Sequence, residues 1–436
     1  MNHPFSKLKG LRLKLFLSAI LLFFALALFA QKVRIKGSDG NYQLLVDEKP
    51  FFIKGAVANE YFERISMHGG NSIRSDSRNL DKMKALGLKV LVNLPASAER
   101  NKFDYNDTTA VRIQKDRILS IVRNVKDHPS VLMWAIGNEL DFIPGNLQCN
   151  LKLWDAINDV AKAIKIIDPD HPVMTVVGTD NMGKKMKEII SRCPDLDLIG
   201  LNTYGDMIRL PRTLKQQGWN KPYIITEWGP DGYWERPRTK WNAPYEQTGL
   251  QKASSYEKKY SAVILEDKGR CLGEFVFYWS GFKQETTHTW FCMFDKNGNE
   301  SASVDIMHRF WLGKEPENHA PSLDSMWIDG FQNVRSIYLN PETEYKAKAF
   351  ASDTDLNLLN FAWEIRPEAS YASYAGQGEK EPQPLPGLIK NNGTGILFST
   401  PLAEGAYRLF VYVYDGNGKF STANLPLYVK KQDVNQ

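Results

Sequence analysis

Cysteine is scarce in this chain: four among 436 residues, Cys149, Cys193, Cys271 and Cys292. None falls in a CxxC pair or at a Cys/His spacing that holds zinc, so neither a disulfide framework nor a structural metal organises the fold. They are expected to be mostly buried thiols, or at most one incidental disulfide, without a catalytic part. No long low-complexity tract is present, and 43% hydrophobic content allows a large core, which argues against disorder. Excess charge is lacking too. The formal charge is +5, but Lys7, Lys9, Arg12 and Lys14 contribute four positive charges to the first thirty residues, which hold no acidic residue. The remainder carries a formal +1. The electrostatic footprint of a nucleic-acid binder is therefore missing.

Those first thirty residues form a basic segment followed by an apolar run from Leu15 to Ala30, with polar sequence from Gln31. This is the pattern of a secretory leader, with cleavage expected after Ala30. The expected localisation is extracytoplasmic, periplasmic or secreted, with no stable membrane insertion after cleavage. An uncleaved N-terminal anchor is the alternative, although the run is shorter than the roughly 20 residues that span a bilayer. With no cysteine near the cut, a lipid-anchored form is not expected.

From about residue 51 to about 310, short apolar runs alternate with amphipathic stretches. The runs are 51–57, 71–75, 88–94, 131–137, 173–177, 196–202, 222–228 and 274–279. Eight strands alternating with helices over roughly 250 residues predict an α/β fold of the (β/α)8 barrel type. A doubly wound open sheet competes, but the Gly-rich phosphate fingerprint it would carry after the first strand is absent. Residues 31–50 read as a β-hairpin plugging the barrel floor. A polar, Pro-containing linker at 313–324 leads to alternating runs and a "DGNG" turn, predicting a C-terminal all-β immunoglobulin-like sandwich. The expected division is a leader over 1–30, a catalytic barrel over 31–315 and a sandwich over 320–432.

"VLMWAIGNEL" runs as an unbroken apolar strand and then sets Asn138 and Glu139 at its end. "YIITEWG" does the same with Glu227 at the seventh strand. Barrel active sites lie at the C-terminal strand ends, and strands four and seven face each other across an eight-stranded ring. Two carboxyl groups brought over one pocket are what glycoside hydrolysis requires: one protonates the leaving oxygen and the other attacks or steers water. A salt-bridged strand-end residue or a helix N-terminal carboxylate is the bland reading of each.

"HPSVLMWAIGNE" and "ITEWG" resemble the acid/base and nucleophile motifs of clan A glycoside hydrolases, nearest to the catalytic barrel of glycoside hydrolase family 2. "FFIKGAVANE", "GGNSIRS", "LGLKVLVNLP" and "LIGLNTYGD" resemble its first, second, third and sixth strands. The resemblance implies a retaining mechanism with Glu139 as general acid/base and Glu227 as nucleophile. It also implies that Asn138 holds the sugar 2-hydroxyl and that Tyr204 hydrogen-bonds Glu227. Members of that family carry further domains before the barrel, where this chain has about twenty residues. Sugar identity is therefore not carried over.

Other candidates follow from position. Arg74 at the second strand end is expected to keep the nucleophile ionised. Asn59 ends the first strand and is a substrate contact on equal terms with a structural one. Trp279 ends the eighth strand, where its face could floor a sugar subsite; a core tryptophan is the competing reading. Two long mouth loops rich in aromatics and polar residues add Trp228 and Glu285 as substrate-binding candidates. His128 and His288 are too scattered for a metal cluster, and no cofactor is expected. The function read from the sequence is a retaining β-glycosidase on a β-linked oligosaccharide or polysaccharide, β-glucan-type favoured. A β-glucan transglycosylase using the same two glutamates is one alternative, and a non-catalytic glycan-binding protein is the other.

Overall fold

The computed structural model describes residues 32–145, 148–331, 335–369 and 378–431. The expected leader lies outside them. Among the described residues no helix is long and apolar enough to cross a membrane.

The chain opens with β1 (Val33–Ser38), β2 (Asn41–Val46) and β3 (Lys49–Pro50), an antiparallel sheet. Eight strands follow: β4 (Ile53–Ala58), β5 (Ser72–Ser75), β6 (Lys89–Leu94), β7 (Val131–Ile136), β8 (Val173–Gly178), β9 (Ile199–Asn202), β10 (Tyr223–Trp228) and β11 (Cys271–Trp279). They close into a parallel barrel in which β11 pairs with β4, so all eight expected strands are present. Apolar runs suit this position because both faces of every strand are covered. On β7 Val131, Trp134 and Ile136 pack outward into the layer under the helices. Met133 and Ala135 pack inward with Ile53, Leu91, Met174, Ile224 and Phe275. Val33, Leu44 and Val46 of the hairpin join that inner cluster and close the floor, as expected from the sequence.

The helices cover the barrel for identifiable reasons. Asp107 accepts hydrogen bonds from the Thr109 and Ala110 amides and so caps α3 (Thr108–Val125), a contact worth ~1 kcal/mol. Here α1 is Phe62–Met67 and α2 is Leu80–Ala85. Next, α4 (Lys152–Ile167) buries Leu153, Trp154, Ile157, Val160, Ala161 and Ile164 on one face.

The C-terminal part is all-β. One sheet holds β13 (Ser322–Ile328), β15 (Glu344–Ser352) and β17 (Gly395–Ser399). The other holds β16 (Asn360–Pro367), β18 (Gly405–Tyr414), β19 (Lys419–Val429) and β14 (Ile337–Leu339). That sheet also takes in β12 (Glu300–Ser301), contributed from before the linker. Leu323, Ile328, Trp363, Ile365, Phe398, Leu409 and Val411 form a core of their own between the sheets.

Candidate active site

Parallel strands deliver their C-terminal residues to one rim, and five of those ends converge. β5 brings Arg74, β6 brings Asn93, β9 brings Asn202, β10 brings Glu227, and the chain leaving β7 brings Asn138 and Glu139. The turn after β7 is tight: Gly137 has φ 68° and Glu139 φ 47°. A non-glycine residue held left-handed stores strain that its surroundings must offset. The Glu139 amide donates to the Val176 carbonyl at 2.9 Å, while Arg100 grips the carbonyls of Asn138 and Glu139.

Arg74 is 5% exposed and sits at the centre. It donates to Glu227 Oε1 at 2.8 Å, to Asn138 Oδ1 at 2.7 Å and to Asn93 Oδ1 at 3.0 Å. Asn202 Nδ2 donates to both Asn138 Oδ1 (3.0 Å) and Glu139 Oε1 (2.9 Å). Tyr204 closes the ring, its hydroxyl donating to Glu227 Oε2 at 3.2 Å. The two glutamates thus belong to one polar network.

Their environments differ. Burial, and then the charge of Glu227, push the Glu139 carboxyl up to about 7, against the Asn202 amide and the more distant charge of Lys185, which favour ionisation. Burial raises Glu227 as well, but the Arg74 guanidinium and the Tyr204 hydroxyl act on it in the opposite direction. Glu227 therefore ionises first and Glu139 keeps its proton longer.

The remaining candidates divide. Asn59 lies at the rim, its amide donating to the Tyr278 hydroxyl. Glu285, in the loop after β11, contributes to raising Glu227, Tyr204, Tyr233 and Tyr278, so its charge acts on the same pocket. Trp228 and Trp279 are not in the mouth. Both are fully buried in the layer between strands and helices. The Trp228 indole donates to Glu274 Oε2 at 2.7 Å; that of Trp279 donates to the Tyr61 carbonyl at 3.1 Å, and its ring stacks on Trp311. The reason is alternation: a strand that turns Glu227 inward turns the next side chain outward. On β11, Tyr278 reaches the mouth aromatic cluster, and its successor Trp279 does not. The exposed aromatic beside the site is instead Trp234, 48% exposed and edge-on to Tyr204 at 5.3 Å.

Sequence reasoning missed Asn202, Asn93, Arg100 and Tyr278 as members of this network. Asn202 carried a usable signal, since it is the last residue of "LIGLN" and strand ends meet at the rim. Arg100 carried none, being a loop residue whose carbonyl contacts exist only after folding. All four cysteines are free thiols. Among the described residues no group of three or more His, Cys, Asp or Glu is arranged to hold a metal.

Residues 81–299 match the family model described as glycosyl hydrolases family 2, TIM barrel domain, which is half of the chain. The chain belongs to glycosyl hydrolase family 2. Within this family it is 22% identical over 289 residues to the beta-glucuronidase of Chlorocebus aethiops, covering 57% of this chain and 41% of that protein. It is 27% identical over 228 residues to the beta-glucuronidase of Streptococcus agalactiae, covering 47% and 34%. A solved calcium-binding mutant of Bacteroides uniformis beta-glucuronidase 2 shares the fold, with TM-score 0.50, 15% identity and coverage of 91% of this chain and 48% of that one. The family 2 chain described here spans less than half the length of each of these relatives.

Proposed function

We propose that this chain is a retaining β-glycosidase acting on neutral, glucan-type β-linked substrates outside the cytoplasm. In this reading Glu139 is the general acid/base and Glu227 the nucleophile. The observation that carries it is the unequal environment of the two carboxyl groups: burial and the charge of Glu227 push Glu139 up to about 7, whereas the rise that burial gives Glu227 is opposed by Arg74 and Tyr204. Protonated Glu139 gives its proton to the glycosidic oxygen while ionised Glu227 attacks the anomeric carbon, so the leaving group departs as an alcohol and a glycosyl ester forms. Glu139, now a carboxylate, takes a proton from water, whose oxygen displaces Glu227 and regenerates both groups. Arg74 and Asn202 both donate to Asn138 Oδ1, which orients its amide to donate to the sugar 2-hydroxyl. Trp234, rather than Trp228 or Trp279, offers the face for the sugar ring.

Glu285 supports the neutral-substrate reading, since its charge, like that of ionised Glu227, acts in the pocket that a uronate carboxylate would enter. A β-glucuronide is the second reading, favoured by the names of the relatives and by Lys283, whose ammonium lies 5.1 Å above the Tyr278 ring. We also read the C-terminal unit as immunoglobulin-like and place the domain boundaries near 315 and 320. The buried Trp363 and the Tyr407 hydroxyl, donating to the Ala403 carbonyl at 2.9 Å, support that reading.

Aryl β-glucoside and aryl β-glucuronide assayed side by side decide the substrate: the glucoside is expected to be turned over faster, and the reverse overturns the neutral-sugar reading. A 2-fluoro-glycoside of the preferred sugar should label the peptide containing Glu227. Turnover without label at Glu227 removes it as nucleophile, and no label or turnover with any glycoside favours a binding protein. Transfer of the sugar to added acceptor in preference to water would make the enzyme a transglycosylase.

A further inference from the structure

The left-handed turn that carries Glu139 is held from two sides. On one side Arg100 grips the carbonyls of Asn138 and Glu139. On the other stands Lys185, from α5 (Met182–Arg192), the helix after β8. Its ammonium meets Asp141 Oδ2 at 2.8 Å, Asp180 Oδ1 at 3.1 Å and the Gly178 carbonyl at 2.7 Å, three acceptors for a group with three N–H donors. The Lys185 and Asp141 side chains are only 5% and 7% exposed. Burial disfavours the lysine charge, but Asp141 and Asp180 more than offset it and hold the ammonium above the ordinary lysine value. What this cation joins together is specific. Asp141 lies inside the turn that the Phe142 amide closes on the Glu139 carbonyl at 3.1 Å. Gly178 ends β8 against the acid: a β-carbon on it would stand 3.2 Å from Glu139 Oε1 and 2.9 Å from Asp180 Oδ1. Lys185 therefore ties the turn that aims the acid to the strand end on which the acid rests.

Resting on the glycosidase reading, we propose that Lys185 is a positioning residue for the acid/base: through Asp141 and Gly178 it fixes where the Glu139 carboxyl stands, and so how well the leaving oxygen is protonated. It touches no reacting group itself. A general acid works only within hydrogen-bond reach of its proton acceptor, and a displacement of about 1 Å in its support costs about a hundredfold in rate. A residue held left-handed, as Glu139 is at φ 47°, keeps that conformation only while its surroundings impose it, and the Lys185 pairs are part of what imposes it. The charge of Lys185 also reaches the acid. Behind burial, Glu227 and Asn202, the next influences on the Glu139 carboxyl are Lys185, which favours ionisation, and Asp141, which opposes it.

Leaving groups separate this role from a merely structural one. Lys185→Met is expected to lower kcat/KM for an alkyl β-glycoside, whose leaving oxygen must be protonated, by about tenfold to a hundredfold. For the dinitrophenyl glycoside of the same sugar, which needs little protonation, the loss should be several times smaller. The basic limb of kcat/KM reports the proton on the acid. It should move to higher pH in Lys185→Met, which removes a positive charge, and to lower pH in Asp141→Asn, which removes a negative one. Asp141→Asn keeps the shape and an acceptor for Lys185, so it decides the matter even where Lys185→Met does not fold. Gly178→Ala approaches from the strand: the added methyl crowds Glu139 Oε1, and its loss should again be larger on the alkyl glycoside. Equal losses on both glycosides, or a basic limb that stays put in the folded variants, overturn the assignment while leaving the glycosidase reading intact. A wild-type protein that turns over neither kind of glycoside ends both.

Discussion

The rim of the barrel is made of two halves held in different ways. Arg74, Asn138, Asn202 and Glu227 stand on or immediately beyond strand ends, where the barrel's parallel ladder fixes their backbone. The other half is loop, residues 230–247 and 281–291, and it leans on the C-terminal sheets. Glu246 accepts from Asn424 Nδ2 at 2.6 Å as well as pairing with Lys252; His288 meets the Tyr412 hydroxyl at 2.6 Å; Arg408 donates to the Pro244 carbonyl at 3.0 Å. The strand-borne half carries the ionisable chemistry, and the loop-borne half carries Tyr233, Trp234 and Glu285. In the proposed reading this is a division of labour: proton transfer rests mainly on the barrel strands, while the shape and charge of the sugar pocket depend on loops held by the C-terminal unit as well.

The sharpest way to break that division is at the strand half. Glu227→Gln should lower turnover of every β-glycoside by ~10⁴–10⁶-fold, since no other group can form the ester. Glu139→Gln should instead stall at the second step with an aryl substrate of low leaving-group pKa. Azide should then restore release as a β-glycosyl azide; an α-azide or no rescue contradicts the assigned roles.

Next in size is Arg74→Met. Without the guanidinium only the Tyr204 hydroxyl still opposes burial and the charge of Glu285, so the Glu227 carboxyl rises and the acidic limb of kcat/KM moves to higher pH. An unmoved limb in a folded variant would make Arg74 a scaffold for Asn138 only.

Asn424→Leu probes the loop half from the C-terminal side. It strips a donor from Glu246 and the acceptor of Arg408 Nη1, at 2.7 Å, each loss costing ~1–3 kcal/mol in denaturation. KM for an oligosaccharide should rise while kcat on an aryl glycoside and its pH profile stay put. A shifted pH limb would show that the two halves are one unit.

The smallest effect is on stability. Glu139's folded carboxyl lies above its unfolded value, so folding takes up a proton, and stability is lost as pH rises from the ordinary carboxyl range through about 7. Glu139→Gln should therefore stabilise the protein by ~1–3 kcal/mol at pH 8 and by little at pH 4, read from urea midpoints. Equal midpoints at pH 8 would mean that the carboxyl ionises without penalty.

Much of this was legible beforehand, because barrel strands buried on both faces must be continuous apolar runs. Glu139 and Glu227 stood out as charges ending such runs, and Arg74 followed by the same logic. Trp228 and Trp279 misled because a strand end names a place and not a direction. Which of two neighbouring side chains enters the mouth depends on the pleat and on local irregularities, such as the register shift between Ile225 and Glu227.

The pattern of residues by itself determined the eight strands, their order of helix and strand, and the two glutamates, since periodicity and a charge at the end of an apolar run are local properties. Tertiary structure alone decided that Asn202 joins those glutamates, and that burial and neighbouring groups act unequally on the two carboxyl groups. It also decided that the aromatic loops are anchored by Asn424, Tyr412 and Arg408, more than a hundred residues away along the chain. Hydrogen bonds and desolvation depend on distance in space, and only the closed barrel with its docked sheets sets those distances.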